Sequence, residues 1–188
     1  MAFTVSEELV VNNCSPTMAG LKTGNLFACP YECRQRLYES VRRFNRCLTP
    51  RGVRMIPVRA ENGHALIYVY RPKCLCRDLG NKRAREILSE CGYTQQSPEE
   101  CLTELTRRLR HGCAFPHEIG LFLGYPPEDV YGFIHGDRRA AKYVGTWKVF
   151  GDVESARRRF AQFEKCTRVY REVYRKTGAF ERLVVRAS

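Results

Sequence analysis

Residues 115–134, FPHEIGLFLGYPPEDVYGFI, decide the fold, because they predict two short helices joined by a tight turn. A proline in the first turn of a helix loses no helical hydrogen bond, so the first helix is expected to begin near Pro116. The apolar residues 119–123 predict that this helix is buried. Gly124 can adopt the left-handed conformation that ends a helix, and the second helix is expected to follow from Pro126.

The polar residues at the start of the first helix are His117 and Glu118. The free N–H groups of a helix N-terminus favour anions and disfavour a charged histidine, so His117 with Glu118 could handle protons there. The zinc-protease pattern HExxH is incomplete, because position 121 is leucine. The alternative is that His117 only caps its helix or bonds a nearby carbonyl.

The rest of the chain predicts an α+β fold in one domain, residues 1–188. Apolar residues recur at steps of three and four in the helical segments, and the extended runs are short. Glu61-Asn62-Gly63 predicts a hairpin turn, and Pro57 predicts an edge strand or a bulge. We expect a small, largely antiparallel sheet of about four strands packed with several helices, including a long C-terminal amphipathic helix. The predicted strands are 25–29, 53–60, 64–71 and 143–150, and the predicted helices include 5–13, 31–49, 82–91, 98–111 and 153–176.

Three of these helices carry further local signals. Ser97 and Glu100 predict a capping box at the start of the helix 98–111, and Asp152 is expected to cap the helix that follows it. In the helix 31–49, one face is predicted to be buried, and it consists of Leu37, Val41, Phe44 and Leu48.

Composition favours a folded cytoplasmic protein. Hydrophobic residues make up 44% of the 188, yet no apolar run approaches the roughly 20 residues that span a bilayer. The N-terminal MAFTVSEELVVNN lacks the basic and apolar regions of a secretory signal. In such a chain the ten cysteines are expected to be reduced thiols rather than disulfides.

Positive charge is concentrated near the C-terminus. The net charge is +12, and residues 138–188 hold 14 Lys and Arg against 5 Asp and Glu. The C-terminal helix is therefore a candidate surface for an acidic protein partner. Nucleic acid is disfavoured, because no helix-turn-helix, zinc-finger or RNP-type signature is present.

The segment 14–25, CSPTMAGLKTGN, predicts a glycine-bearing loop with one lysine. Such a loop can hold a phosphate or a carboxylate, although the Walker spacing is absent. A cation near Cys14 would lower the pKa of its thiol and make it a candidate nucleophile. The alternatives are a turn with a solvated Lys22 and an inert, packed Cys14.

Two cysteine pairs are candidate metal ligands. Cys29 with Cys33, and Cys74 with Cys76, could supply four thiolates to zinc or an iron–sulfur cluster. Neither pair has the usual CxxC spacing. We therefore predict no metal site.

Five blocks carry a resemblance to a known family. CSPTMAGLKTGNLF, ALIYVYRP, FPHEIGLFLGYPPEDVYGFI, GTWKVFGD and FEKCTRVY occur in this order between residues 14 and 170. Together they resemble the DUF3793 family of bacterial proteins, mostly from anaerobic Firmicutes. The resemblance implies a link to flavodoxin and iron-transport genes, and hence to redox or iron metabolism. The matching blocks bring forward as site candidates Cys14, Lys22, Asn25, Arg71, His117, Glu118, Trp147, Lys148 and Cys166.

Taken together, these observations predict a pocket for a small anionic ligand or cofactor, walled by the segment 14–25 and the start of the helix at His117. Lys22 and Arg71 would bind the anion, and Asn25 would orient it. Neither a reaction nor a particular cofactor follows from the sequence. The alternative function is a non-catalytic interaction protein that docks an acidic partner such as flavodoxin, or nucleic acid, through its basic C-terminal helix.

Overall fold

The computed structural model describes residues 5–94, 97–112 and 114–186. The first four residues of the N-terminal segment considered above lie outside this range. The chain divides into two units. The sheet unit consists of residues 1–73 and 165–188, and the helical unit consists of residues 74–164. The expectation of one domain over 1–188 stays a prediction. The helices and strands are α1 Glu7–Met18, β1 Gly24–Pro30, α2 Arg34–Leu48, β2 Arg54–Glu61, β3 His64–Tyr70, α3 Pro72–Leu79, α4 Lys82–Glu90, α5 Pro98–His111, α6 Ile119–Phe122, α7 Pro127–His135, β4 Tyr143–Val144, β5 Lys148–Val149 and α8 Val153–Thr177.

The sheet unit contains a three-stranded antiparallel sheet in the order β1–β3–β2. Strands β2 and β3 join through the predicted turn, where Asn62 and Gly63 have φ angles of 49° and 73°. Positive φ at both central positions matches the right-handed twist of the paired strands. The pairing of β2 shifts between Pro57 and Arg59, so the bulge predicted on this edge strand is confirmed.

One hydrophobic core holds the sheet unit together. The buried face of α2 is the one predicted from its spacing, with Leu37, Val41, Phe44 and Leu48 nearly inaccessible to solvent. These side chains pack with buried residues of α1 and with alternate residues of the three strands. Tyr170 of α8 packs against the edge of the same core. The sheet and these helices confirm the α+β class.

The start of α1 was predicted correctly, but its end was not. The Ser6 side chain accepts a hydrogen bond from the Leu9 amide at 3.1 Å, as a helix N-cap does. The helix then continues through Pro16 to Met18, so residues 14–18 form its last turns rather than a loop. The turn proper is short, and the amides of Leu21 and Lys22 both donate to the Pro16 carbonyl.

The helical unit differs from the prediction at two places. Residues 143–150 do not add a fourth strand to the sheet, because β4 and β5 pair with each other in a separate hairpin. The first helix of the 115–134 stretch is a single turn, α6, which begins at Ile119 rather than near Pro116. The capping box that starts α5 is confirmed, and so is the cap of α8 by Asp152, which accepts from the Ser155 amide at 3.0 Å.

Candidate functional site

Cys14 lies inside the sheet unit and is inaccessible to solvent. Burial raises the pKa of its thiol above the usual range, and the nearby charge of Lys22 opposes this shift only in part. The direction predicted from the sequence was therefore wrong: the lysine is close, but loss of hydration outweighs its charge. The role of Cys14 as an acting thiol stays a prediction.

Lys22 is buried rather than solvated, with 8% of its surface exposed. Burial disfavours the ammonium form and lowers the pKa of Lys22 to about 8, although interaction with Cys14 raises it slightly. A lysine with this pKa carries a substantial neutral fraction near physiological pH.

Arg71 and Asn25 complete a polar cluster around the last turn of α1. The Arg71 guanidinium donates from Nε to the Thr17 carbonyl at 2.7 Å and from Nη2 to the Met18 carbonyl at 2.6 Å. These carbonyls form the negative end of the helix, which a cation stabilises. The Thr17 hydroxyl donates to Asn25 Oδ1 at 2.7 Å. The structure thus brings Cys14, Lys22, Asn25 and Arg71 together at one helix end.

Glu118 lies in a buried network of the helical unit. Its Oε1 accepts hydrogen bonds from Arg108 Nη1 and from the Tyr93 hydroxyl, both at 3.1 Å. Arg108 also donates through Nε to Glu104 Oε1 at 2.7 Å. Hydrogen bonds from Arg107 and Arg108 lower the pKa of Glu104 to about 2. Burial, reinforced by the charge of Glu118, raises the pKa of Tyr93 above its usual range.

The side chain of His117 contacts different groups from that of Glu118. Its ring is half-buried and meets Phe133 edge-on, with 5.0 Å between centroids, and lies 6.3 Å from Phe115. The single turn α6 is too short to provide the extended dipole on which the predicted anion site depended. The helix start at His117 is therefore less favourable to an anion than expected, and an anion site there stays a prediction, as do the catalytic roles of His117 and Glu118.

Trp147 is held by a carboxylate that the sequence did not reveal. Its indole N–H donates to Asp129 Oδ2 at 2.7 Å, and Asp129 Oδ1 accepts from the amides of Phe150 and Gly151 at 2.8 Å. The indole also stacks on Tyr125 with 4.6 Å between centroids. Asp129 therefore anchors the segment that contains β5. Lys148 is the first residue of β5, with its Nζ 5.9 Å from the centroid of the Phe133 ring.

The helical unit contains a cleft between α4 and α5 with a volume of about 540 Å³. Its lining residues are not among the site candidates predicted from the sequence. Three of the lining residues, Arg85, Leu88 and Ser89, stand at positions i, i+3 and i+4 of α4 and so share one helix face. This spacing is the sequence signal that could have identified them. The lining residues are Leu79, Arg85, Leu88, Ser89, Gly92, Tyr93, Thr94, Pro98 and Cys101.

The described part of the chain holds neither a cluster of metal ligands nor a helix that could span a membrane. Residues 5–94, 97–112 and 114–186 contain no group of three or more His, Cys, Asp or Glu side chains able to hold a metal ion. Cys29 is buried, whereas Cys33 and Cys76 are exposed. Within the same ranges, every helix is too short or too polar to cross a bilayer.

Comparison with known proteins gives one match. A family model described as "Protein of unknown function (DUF3793)" matches residues 10–184, nearly the whole chain. No curated protein and no solved structure matches the chain significantly. The match spans both units and includes every predicted site residue. The chain therefore belongs to the DUF3793 family.

Proposed function

We propose that this protein binds a small organic anion with an apolar body, in the cleft between α4 and α5. The observation that carries the proposal is the cleft itself. Its volume of about 540 Å³ lies within the range of roughly 300–1,000 Å³ typical of small-molecule sites. This keeps the ligand class expected from the sequence and moves its site to residues of the helical unit alone.

The lining supports a ligand with two different ends. Leu79, Leu88 and the ring of Tyr93 are buried and provide an apolar floor. Ser89 and Thr94 are exposed and add hydroxyl groups at the rim. An apolar floor with a few polar groups is the usual composition of a ligand pocket.

Arg85 supplies the charge that selects an anion. It is exposed on α4, on the same face as Leu88 and Ser89, and makes no ion pair with any residue in the described ranges. A guanidinium can donate two parallel hydrogen bonds to a carboxylate or phosphate. A carboxylate on an aliphatic or aromatic body would place its charge at Arg85 and its body over Leu79 and Leu88.

Fluorescence titration with anilinonaphthalene sulfonate, an apolar anion, tests the proposal directly. Wild-type protein should bind it at one site, and octanoate should displace it while octanol competes poorly. Arg85→Gln should weaken binding about tenfold, as loss of a charge-assisted hydrogen bond predicts. Ser89→Trp should abolish binding by filling the cleft without changing charge.

Lys82→Gln is the matched control, because it removes one positive charge from an exposed position of α4 outside the cleft lining. It should leave the affinity unchanged. Equal binding by wild type and Ser89→Trp would show that the probe sits elsewhere, and the proposal would then be abandoned. Native mass spectrometry of protein purified from its host would identify a ligand that stays bound.

Docking of an acidic protein, such as a flavodoxin, through α8 is a second proposal. It is supported by the exposed Arg168, Arg171 and Arg175 on that helix. Reversing Arg171 and Arg175 to glutamate should then weaken co-sedimentation with flavodoxin. A cytoplasmic location is a proposal that rests on the composition of the sequence, and a role in redox or iron metabolism is a proposal that rests on the family resemblance. Five predicted anion contacts also stay proposals: those of Lys22, Asn25, Arg71, Trp147 and Lys148.

A further inference from the structure

The sheet unit carries nearly all of the protein's net positive charge. It holds 18 Lys and Arg against 7 Asp and Glu, a balance of +11, whereas the helical unit holds 14 against 13. The sequence suggested that the excess belonged to the last quarter of the chain. Division by unit instead groups the C-terminal half of α8 with the five arginines of α2.

On α2, three exposed residues form a continuous ridge, which we call the arginine ridge: Tyr38, Arg42 and Arg46. They are spaced four residues apart, so they lie on one side of the helix about 6 Å apart along its axis. Tyr38 is 40% exposed although it is a large aromatic residue. Arg42 and Arg46 are exposed, and neither makes an ion pair with a residue that the structure describes.

Three other arginines of the sheet unit form ion pairs within it. Glu32 pairs with Arg36 at 2.9 Å, Glu61 with Arg59 at 3.1 Å, and Glu181 with Arg51 at 3.5 Å. The arginine ridge has no such partner in the described ranges. Placement of Arg46 in the last turn of α2 is accounted for by the negative end of that helix. This local effect explains neither Arg42 nor the exposed ring of Tyr38.

We propose that the arginine ridge binds single-stranded nucleic acid. Guanidinium groups bind phosphates through paired hydrogen bonds, and an aromatic ring beside them can stack on a base. Of the 18 basic residues in the sheet unit, 14 are arginine. An acidic protein surface would be attracted by the same charge, but it offers no planar base for the exposed ring of Tyr38. The ring therefore favours nucleic acid.

Fluorescence anisotropy with a labelled uridine oligonucleotide of about 16 residues tests this inference. Wild type should bind at about 50 mM salt and lose affinity as salt is added. Arg42→Glu with Arg46→Glu should weaken binding at least tenfold and reduce the magnitude of the salt slope by about 1.4, the value for two lost phosphate contacts. Tyr38→Ala should weaken binding about tenfold, whereas Tyr38→Phe should bind like wild type.

Arg171→Glu with Arg175→Glu is the matched control, since it makes the same charge change at the same spacing on α8 of the same unit. It should weaken binding much less. An equal loss of affinity in both double variants would overturn the inference, and so would the absence of binding at about 50 mM salt. The inference would also fail if polyglutamate displaced the labelled oligonucleotide as well as the unlabelled oligonucleotide does. Circular dichroism would confirm that the variants fold, as expected for exposed positions.

Discussion

Arg108 Nη1 lies 3.1 Å from Glu118 Oε1, in an ion pair whose carboxylate side chain is only 7% exposed. Breaking such a pair from one side leaves a buried charge without compensation. Arg108→Ala removes the cation that compensates the buried Glu118 carboxylate, so it should lower the free energy of unfolding by about 3–5 kcal/mol. Urea denaturation followed by the fluorescence of Trp147 measures this loss.

The exposed pair Arg36–Glu32 provides the comparison for this variant. Its side chains are 53% and 43% exposed, so Arg36→Ala should cost about 0–1 kcal/mol. If Arg108→Ala costs no more than Arg36→Ala, Glu118 is not held by Arg108 in solution. That result would return Glu118 to the role of a carboxylate available for chemistry.

Asp129 should be essential to the local structure around Trp147. Asp129→Ala leaves the Trp147 indole and the Phe150 and Gly151 amides without their acceptor. Orphaned buried donors cost about 1–3 kcal/mol each, so the variant should lose several kcal/mol and shift the tryptophan emission to longer wavelength. Glu164→Ala removes an exposed carboxylate of α8 and should change neither property appreciably. Unchanged emission in Asp129→Ala would contradict the anchoring role.

Lys22 should make stability rise with pH in the mildly alkaline range. Its pKa is about 8 in the folded protein and 10.5 in the reference state, so the unfolded chain binds more protons between these values. The free energy of unfolding should therefore increase by about 1 kcal/mol between roughly pH 7.5 and 9. Well below pH 8 this amine is mainly charged in both states, and its burial then costs stability.

Lys22→Met should flatten this dependence and stabilise the protein at neutral pH, because no charge is then buried. Urea denaturation over the same pH range measures both effects. Above about pH 9 the raised pKa of Cys14 acts in the opposite direction, since the unfolded thiol loses its proton first. A dependence that persists in Lys22→Met would exclude this amine as its source.

Cys14 should resist alkylation in the native protein. It is inaccessible to solvent, and burial keeps its thiol protonated, whereas Cys33 and Cys76 are exposed. Treatment with iodoacetamide near neutral pH should label Cys33 and Cys76 first and label Cys14 only after unfolding. Mass spectrometry of the digested protein measures the extent of alkylation at each cysteine. Native labelling of Cys14 as fast as that of Cys33 would support its role as a nucleophile instead.

Elements with local signals were predicted well. The apolar spacing of α2 identified the residues it buries, and Ser97 with Glu100 identified the start of α5. These signals lie within one or two turns of helix, so they need no tertiary information. Residues 143–150 were assigned to the wrong sheet, because a short extended run has the same pattern whichever strand it pairs with.

The candidate site was predicted less well, because its properties depend on residues far apart in the sequence. Glu118 meets Tyr93, which is 25 residues away, and Asp129 meets Gly151, which is 22 residues away. Neither pairing follows from the local spacing of charges. The sequence also placed Lys22 near Cys14, but it did not reveal that both are buried.

The sequence by itself determined the α+β class, the hairpin at Asn62-Gly63, the amphipathic faces of α2 and α8, and membership of the DUF3793 family. Only the tertiary structure decided the raised pKa of Cys14, the lowered pKa of Lys22, the partners of Glu118 and the cleft between α4 and α5. Helix and strand patterns repeat over a few residues and can be read along the chain. Burial and electrostatic environment are sums over segments that only folding brings together, and they control what each polar side chain can do.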